Sequence, residues 1–307
     1  MKIDIVIPTY NSEASVETLI QRLKEWNQVA DFQTHFIFVD DGSSDSTFSL
    51  LKSELKTSQL SFQVHGLNKN QGQHTAVAIG LGFSTAPYVV TMDDDLQHNP
   101  FDIERLYQKL IEGKHDLVYG NYQEKQHHYL RNLGTKVLQS LLKWTDRDYS
   151  MVTSFRIMKR EVCSVFKDRK AKVYFIEEFL LNVSSNCGTV TVKHYEREFG
   201  KSNYSGVRLV KMAVLILLIH SSFPLKFISR IGVFLSLVFF GIGCYYIRQK
   251  LLFNVELGYT SIIVSIFFTT GLILFSLGII GEYIRKIWIF NQGLDEVVLK
   301  VDDSNES

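Results

Sequence analysis

Three acids stand side by side in "YVVTMDDDLQHNP": Asp93, Asp94 and Asp95. Adjacent like charges repel, and a hard cation such as Mg²⁺ or Mn²⁺ relieves the repulsion, because it prefers carboxylate oxygens together with substrate phosphates. Alternation along an extended chain puts Asp93 and Asp95 on one side and Asp94 on the other. Gln97 shares the parity of the pair if the chain stays extended. The spacing predicts a one-metal site at Asp93 and Asp95, with Gln97 as a further neutral ligand. An acidic turn capping the following helix is the plainer alternative. A cation here would screen a diphosphate and help a nucleotide depart. A second acidic pair, Asp40-Asp41 in "FVDDGSSDST", could hydrogen-bond a nucleobase or ribose, although "DDGS" also makes a good turn. There is no Gly-x-Gly-x-x-Gly and no P-loop, which argues against a dinucleotide enzyme or an ATPase.

These residues need elements to hold them. Ile3–Pro8, His35–Asp40, Ser61–Gly66, Tyr88–Asp93 and Asp116–Gly120 have the short apolar character of buried strands. Ser12–Trp26, Ser46–Lys56, Thr75–Ser84 and Phe101–Glu112 between them have helical spacing. Strand–helix alternation predicts a mostly parallel α/β sheet, with ligands at the carboxyl ends of its strands. The polar clusters Thr9-Tyr10-Asn11, Asp40-Asp41-Gly42-Ser43 and Asp93-Asp94-Asp95 fall at those ends.

The chain has 307 residues, with 33 Lys plus Arg against 32 Asp plus Glu, so its charge gives no reason to expect a nucleic acid partner. Cys163, Cys187 and Cys244 are far apart and read as reduced thiols. The N-terminus carries no signal-peptide pattern. Beyond about Val207 the chain turns apolar. No charge occurs from Ile231 to Ile247 or from Leu257 to Gly281. A spanning helix needs about 20 mostly apolar residues, so two transmembrane helices are expected, at about 231–248 and 257–284. The stretch Met212–Leu225 is too short to span and is expected to lie along a leaflet. Basic residues on the outer flanks place both termini inside. The expected layout is therefore a catalytic domain over 1–206, an interfacial helix over 207–226, a transmembrane hairpin over 227–286 and a cytoplasmic C-terminal tail over 287–307, whose last residues, "VDDSNES", are expected to fray. The expected location is the bacterial inner membrane, multi-pass, with the catalytic domain in the cytoplasm.

Taken together, "IPTYN", "FVDDGSSDST", "NKNQGQHTAVAIGL", "MDDDLQHNP" and "REFGKSNYS" resemble the family 2 glycosyltransferases that act on polyprenyl phosphates. The group includes dolichol-phosphate mannose synthases, bactoprenol glucosyltransferases and the transferase that loads formamido-arabinose onto undecaprenyl phosphate. The resemblance covers nearly the whole chain. It implies a GT-A fold, a nucleotide-sugar donor (uridine diphosphate favoured), a polyprenyl phosphate acceptor, membrane lipids as surroundings and a possible homo-oligomer. It implies nucleotide contacts from Pro8, Tyr10, Asn11, Asp40 or Asp41, Gly72 and Asp93, and metal ligation by Asp93 and Asp95, with Gln97 in some members. It implies that Arg131, Arg156, Arg197, Lys201, Ser202 and Tyr204 line the diphosphate and acceptor-phosphate region, where the planar fork of arginine suits phosphate oxygens. Asp94, Asp95, Arg131, Arg197 and Lys201 are the expected catalytic set.

Three places depart from the family pattern. Asn203 stands where the juxtamembrane loop usually has lysine, with Lys201 as a substitute charge. Gly120-Asn121-Tyr122 replaces a Gly-x-Arg. Asp94 stands where alanine is usual, and its charge could face a sugar hydroxyl or an amine. The expected reaction is in-line attack of the lipid phosphate on the anomeric carbon with inversion. Glu177 and Glu178 are the only candidates by position for a general base. A processive polysaccharide synthase would show Gln-x-x-Arg-Trp and more spans. An inactive lipid-handling scaffold would have lost Asp93 or Asp95. A sugar-nucleotide cyclase or nucleotidyltransferase would release pyrophosphate.

Overall fold

The computed structural model describes residues 1–122, 151–167, 172–173, 175–184, 186–193, 258–291 and 299–305, with isolated positions between 234 and 252. In order, the elements are β1 (Lys2–Thr9), α1 (Val16–Val29), β2 (Gln33–Asp40), α2 (Thr47–Ser58), β3 (Phe62–Leu67), α3 (Gln73–Phe83) and β4 (Tyr88–Thr91). A 3₁₀ turn (Pro100–Asp102) then leads into α4 (Ile103–Glu112), β5 (Leu117–Tyr122), β6 (Arg156–Lys159), α5 (Arg160–Cys163), α6 (Ile176–Val183), β7 (Cys187–Val192), α7 (Tyr259–Asn291) and β8 (Leu299–Asn305).

All eight strands join one sheet in the order β7-β5-β6-β4-β1-β2-β3-β8. Its pairings are mixed rather than mostly parallel. Four neighbours run parallel (β1 with β2 and β4, β2 with β3, β5 with β7). Three run antiparallel (β3–β8, β4–β6, β5–β6). The parallel centre, β4-β1-β2-β3, is the strand–helix alternation of the first 91 residues, so its carboxyl ends lie along one edge. The tail expected to fray instead pairs with the free edge of β3, Phe62 against Asn305 through Leu67 against Leu299. That pairing covers backbone groups an edge strand would otherwise leave open.

Alternation sorts the core into two layers. Ile3, Ile5 and Ile7 of β1, with Phe36 and Phe38 of β2, pack beneath Leu19, Leu23, Leu51, Leu55, Leu106 and Leu110 of α1, α2 and α4. Val6, Ile37 and Val39 face the other way, against Ala76 and Leu81 of α3 and Ile176 and Leu180 of α6. Each such side chain, fully buried, contributes about 1.5–3 kcal/mol relative to exposure. Helix α3 sits close on the sheet because Gly80 lacks a side chain: a Cβ there would lie 2.4 Å from a methyl carbon of Val6. Thus α3 is held against β1 and β2, and its N-terminus stays at the strand-end edge.

The chain divides into two compact units. One holds Met1–Asn132, Tyr149–Tyr204 and Asp295–Ser307, and with them the whole sheet. The other holds Leu133–Asp148 and Ser205–Leu294, including α7. Among the described residues no helix is long and apolar enough to cross a membrane. The two-helix hairpin and the multi-pass inner-membrane placement expected from the apolar runs are corrected accordingly. Uncharged length alone set those boundaries, whereas the helix that includes the second run continues past Gly281 through Glu282, Arg285 and Lys286 to Asn291. The proposed interfacial segment 207–226 and most of 231–248 lie outside the described residues.

Candidate functional site

The site is built where β1, β2, β4 and the β3–α3 loop end on the same edge of the sheet. After β1 the chain turns sharply at Asn11, whose φ is +48°. Asparagine tolerates this left-handed region better than most residues. The turn ties the β1 loop to the β2 loop: the Asn11 amide donates to Ser43 Oγ (2.9 Å), and Asn11 Oδ1 accepts from the Ser44 amide (2.9 Å). Ser12 donates its amide to Thr47 Oγ1 at 2.7 Å. Pro8 is buried at the end of β1, while Tyr10 stands exposed.

The acids after β2 are turned inward. Asp40 accepts from Ser43, hydroxyl to Oδ1 (2.5 Å) and amide to Oδ2 (3.1 Å). Asp41 accepts the backbone amides of Gln71 (2.7 Å) and Gly72 (2.8 Å), one on each oxygen. Burial pushes the Asp41 carboxyl up to about 6, assisted by the charge of Asp40, while the two amides and Lys172 pull the other way. Gly42 between the loops has φ +65°, and a Cβ would lie 2.5 Å from the Lys69 carbonyl carbon. Only glycine fits this approach. Gly72, with φ +97°, ends the same loop and opens α3.

Strand β4 ends at Thr91, two residues before the acids. Asp93 accepts from Gln73 Nε2 on Oδ1 (2.5 Å) and from Ser154 Oγ on Oδ2 (2.6 Å). Both donors are neutral. The segment does not stay extended, as the Gln97 parity argument assumes. Leu96, buried, takes φ +63° and turns the chain back. His98 is thereby folded under the acids, its Nδ1 accepting the Asp93 amide at 3.0 Å and its ring stacked on Phe155 at 5.0 Å between centroids. The Gln97 amide donates to Asp95 Oδ1 at 3.2 Å. Asp93, Asp95 and His98 form the one group among the described residues whose possible ligand atoms all lie within 4.8 Å of one another. Two carboxylates supply hard anionic oxygens, and the group fits a divalent cation. The alternation argument thus finds the pair Asp93 and Asp95 and misses His98, because leucine carries no signal for a left-handed turn.

Asp94 faces away from that group. It accepts the Ser12 hydroxyl in a short hydrogen bond and also interacts with the Tyr10 backbone. Burial pushes its carboxyl up to about 7, with Asp93 and Asp95 adding repulsion and Ser12 opposing it. The acid loop and the β1 loop are therefore tied together through a residue that a metal does not need.

Two other candidates, Arg156 of β6 and Glu177 of α6, are buried and meet each other. Arg156 is 2% exposed and pairs through Nη1 with Glu177 Oε1, while Tyr119 donates to Glu177 Oε2 at 2.8 Å. Burial works against the guanidinium charge, but Glu177 beside it, with Tyr119, holds its pKa above the ordinary value. Burial likewise raises the Tyr119 phenol, and the neighbouring Glu177 charge adds to it. Glu177 is locked in this network and is not a free base. Arg131, Arg197, Lys201, Ser202, Asn203 and Tyr204 lie outside the described residues, as does the side chain of Glu178. Asn121, on β5, pairs with Thr191 of β7 in the sheet register.

Comparison with known proteins agrees with this geometry. The profile described as Glycosyl transferase family 2 matches residues 4–171. Undecaprenyl-phosphate 4-deoxy-4-formamido-L-arabinose transferase of Klebsiella pneumoniae (strain 342) is 28% identical over 294 residues, covering 94% of this chain and 89% of that one. The transferase of the same name from Enterobacter sp. (strain 638) has the same identity and coverage. Among solved structures, mannosyl-3-phosphoglycerate synthase from Rubrobacter xylanophilus superposes with a TM-score of 0.50 at 16% identity, over 71% of this chain and 74% of that one. Glucosyl-3-phosphoglycerate synthase from Mycobacterium tuberculosis, in complex with Mn²⁺, UDP-glucose and phosphoglyceric acid, also gives 0.50, at 17% identity over 71% and 77%. These two likenesses establish the GT-A-like fold.

Proposed function

We propose that this chain, which belongs to glycosyl transferase family 2 and is a glycosyltransferase, moves a sugar from a UDP-sugar onto a polyprenyl phosphate with inversion at the anomeric carbon. One observation carries the proposal: Asp93 and Asp95 converge at the strand ends, beside a loop system knitted from the ends of β1, β2 and β3. Such a strand-end edge is where open α/β sheets bind ligands. The curated relative that aligns over nearly the full chain is named for undecaprenyl phosphate. That name supports a lipid phosphate acceptor for this protein as well.

In the proposed reaction Asp93 and Asp95 hold Mg²⁺ or Mn²⁺. The cation, when bound, supplies charge neutralisation for a departing diphosphate. Pro8, Tyr10, Asn11, Asp40 and Gly72 line the nucleoside side, and Asp41 fixes the loop that carries Gly72. A lipid phosphate oxygen forms its bond to the anomeric carbon as the bond to the nucleoside diphosphate breaks, and the electron pair leaves with the diphosphate. A phosphate monoester has its second pKa at about 6, so at neutral pH the nucleophile is already mostly a dianion. The locked state of Glu177 is consistent with a reaction that needs no general base. Arg131, Arg197, Lys201, Ser202 and Tyr204 are proposed, from sequence, to meet the acceptor phosphate.

The test is incubation of the full chain with Mg²⁺ or Mn²⁺, undecaprenyl phosphate and a panel of labelled nucleotide sugars. Label from one donor should pass into organic solvent with release of an equal amount of nucleoside diphosphate. Release of pyrophosphate, or label that stays in water with every donor, would refute the proposal.

A further inference from the structure

The buried pair Arg156–Glu177 lies directly behind the metal-binding acids, and sheet register shows how closely. Arg156 of β6 is opposite Thr91 of β4 on one side and Tyr119 of β5 on the other. Asp93 follows Thr91 by two residues. Ser154 precedes Arg156 by two residues, and its hydroxyl bonds Asp93 Oδ2 at 2.6 Å. The charge of Asp93 adds to that of Glu177 in holding the Arg156 guanidinium protonated. The guanidinium is almost completely buried, yet its Nε has no hydrogen-bond partner among the described residues. A buried cation with a spare donor has two acids within its field, Glu177 and Asp93. It pairs with Glu177, whose other oxygen is held by Tyr119.

We propose that Glu177 is a positioning residue: by occupying the guanidinium of Arg156 it keeps that buried charge from pairing with Asp93, and so leaves Asp93 to a divalent cation. The inference rests on the proposed cation site. Removing one partner of a buried ion pair leaves an uncompensated charge. Asp93, the other acid whose charge acts on Arg156, is then available to it. Any cation binding at Asp93 and Asp95 must first displace the guanidinium, so its affinity falls. Removing both charges abolishes the competition. A well-packed neutral pair at such a position is often no less stable than the ion pair.

The experiment is an Mn²⁺ titration, read by electron paramagnetic resonance of the free ion, on the full-length wild type, Glu177→Gln and the double variant Arg156→Met with Glu177→Leu. Circular dichroism melts establish that each is folded. The expected result is a loss of about tenfold or more in Mn²⁺ affinity for Glu177→Gln, matching the re-pairing of a buried charge. The double variant should recover to within about threefold of wild type, a rescue that a purely structural role would not give. Should Glu177→Gln not fold, Glu177→Asp keeps the charge but draws it back, and a smaller loss is expected there. Wild-type affinity in the folded single variant, or a double variant no better than the single, overturns the inference while leaving the cation site standing. Absence of Mn²⁺ binding by wild type overturns the cation site itself.

Discussion

Two acidic clusters follow strands β2 and β4 of the sheet's parallel centre, and their oxygens meet different partners. Asp40 and Asp41, after β2, have their oxygens engaged by the chain itself: Ser43 on Asp40, and the amides of Gln71 and Gly72 on Asp41. Asp93 and Asp95, after β4, converge with His98 on one point, and Asp93 accepts hydrogen bonds from the neutral donors Gln73 and Ser154. A carboxylate saturated by backbone amides is a fastener. Carboxylates gathered on a common point, as Asp93 and Asp95 are with His98, make a candidate receptor for a divalent cation. Residue type and strand-end position are the same in both, so partner supply makes the difference.

The sharpest way to break the comparison is at the receptor. Asp95→Ala should reduce sugar transfer by about 10³-fold or more, since a metal-assisted leaving group depends on it, with little change in the thermal midpoint. Retention of full activity by purified protein would remove the cation from the account. At the fastener the pattern should invert. Asp41→Asn turns an N–H toward one of the two buried amides in place of an accepting oxygen and should cost about 1–3 kcal/mol in urea unfolding at about pH 4. Mn²⁺ affinity should be unchanged, and a loss there would merge the two sites.

Asp94 lies between these cases, an acid of the receptor segment bonded to a loop. Asp94→Ala and Ser12→Ala should each raise the donor KM about fivefold, the worth of about one hydrogen bond, without altering Mn²⁺ binding. The double variant should be no worse than either alone; additive losses would show that the two side chains act separately.

A further effect is expected in pH dependence. Folding raises the Asp41 pKa from 3.8 to about 6, so the folded protein favours the protonated acid. Its contribution to stability is fully present below about pH 4 and is lost as pH rises to about 6. Wild type should therefore lose stability relative to Asp41→Asn between pH 4 and 6, then run parallel to it. A difference that is flat across that window would mean Asp41 is charged throughout.

The parallel centre of the fold was legible because strand and helix periods alternate cleanly through residue 91, and the receptor pair because parity along a strand is simple geometry. Legibility stopped where tertiary context overrides local pattern. The left-handed turn at buried Leu96 brings His98 to the acids, and no residue preference announces it. Arg156 is expected from the resemblance at the phosphate region and Glu177 is a candidate base by position, but their pairing is not visible in sequence, since it joins positions 21 residues apart across a strand and a helix. Strand β8 was hidden because "VDDSN" is polar and finds its order only against β3. The membrane hairpin was inferred from uncharged length, a criterion that says nothing of how a helix continues beyond it.

The most direct test of the receptor is calorimetric binding of UDP with and without Mn²⁺, in wild type and in Asp95→Ala. The account predicts that Mn²⁺ tightens UDP binding to wild type by about tenfold or more and has no effect on the variant. UDP binding indifferent to Mn²⁺ in wild type, or equally enhanced in Asp95→Ala, would contradict it.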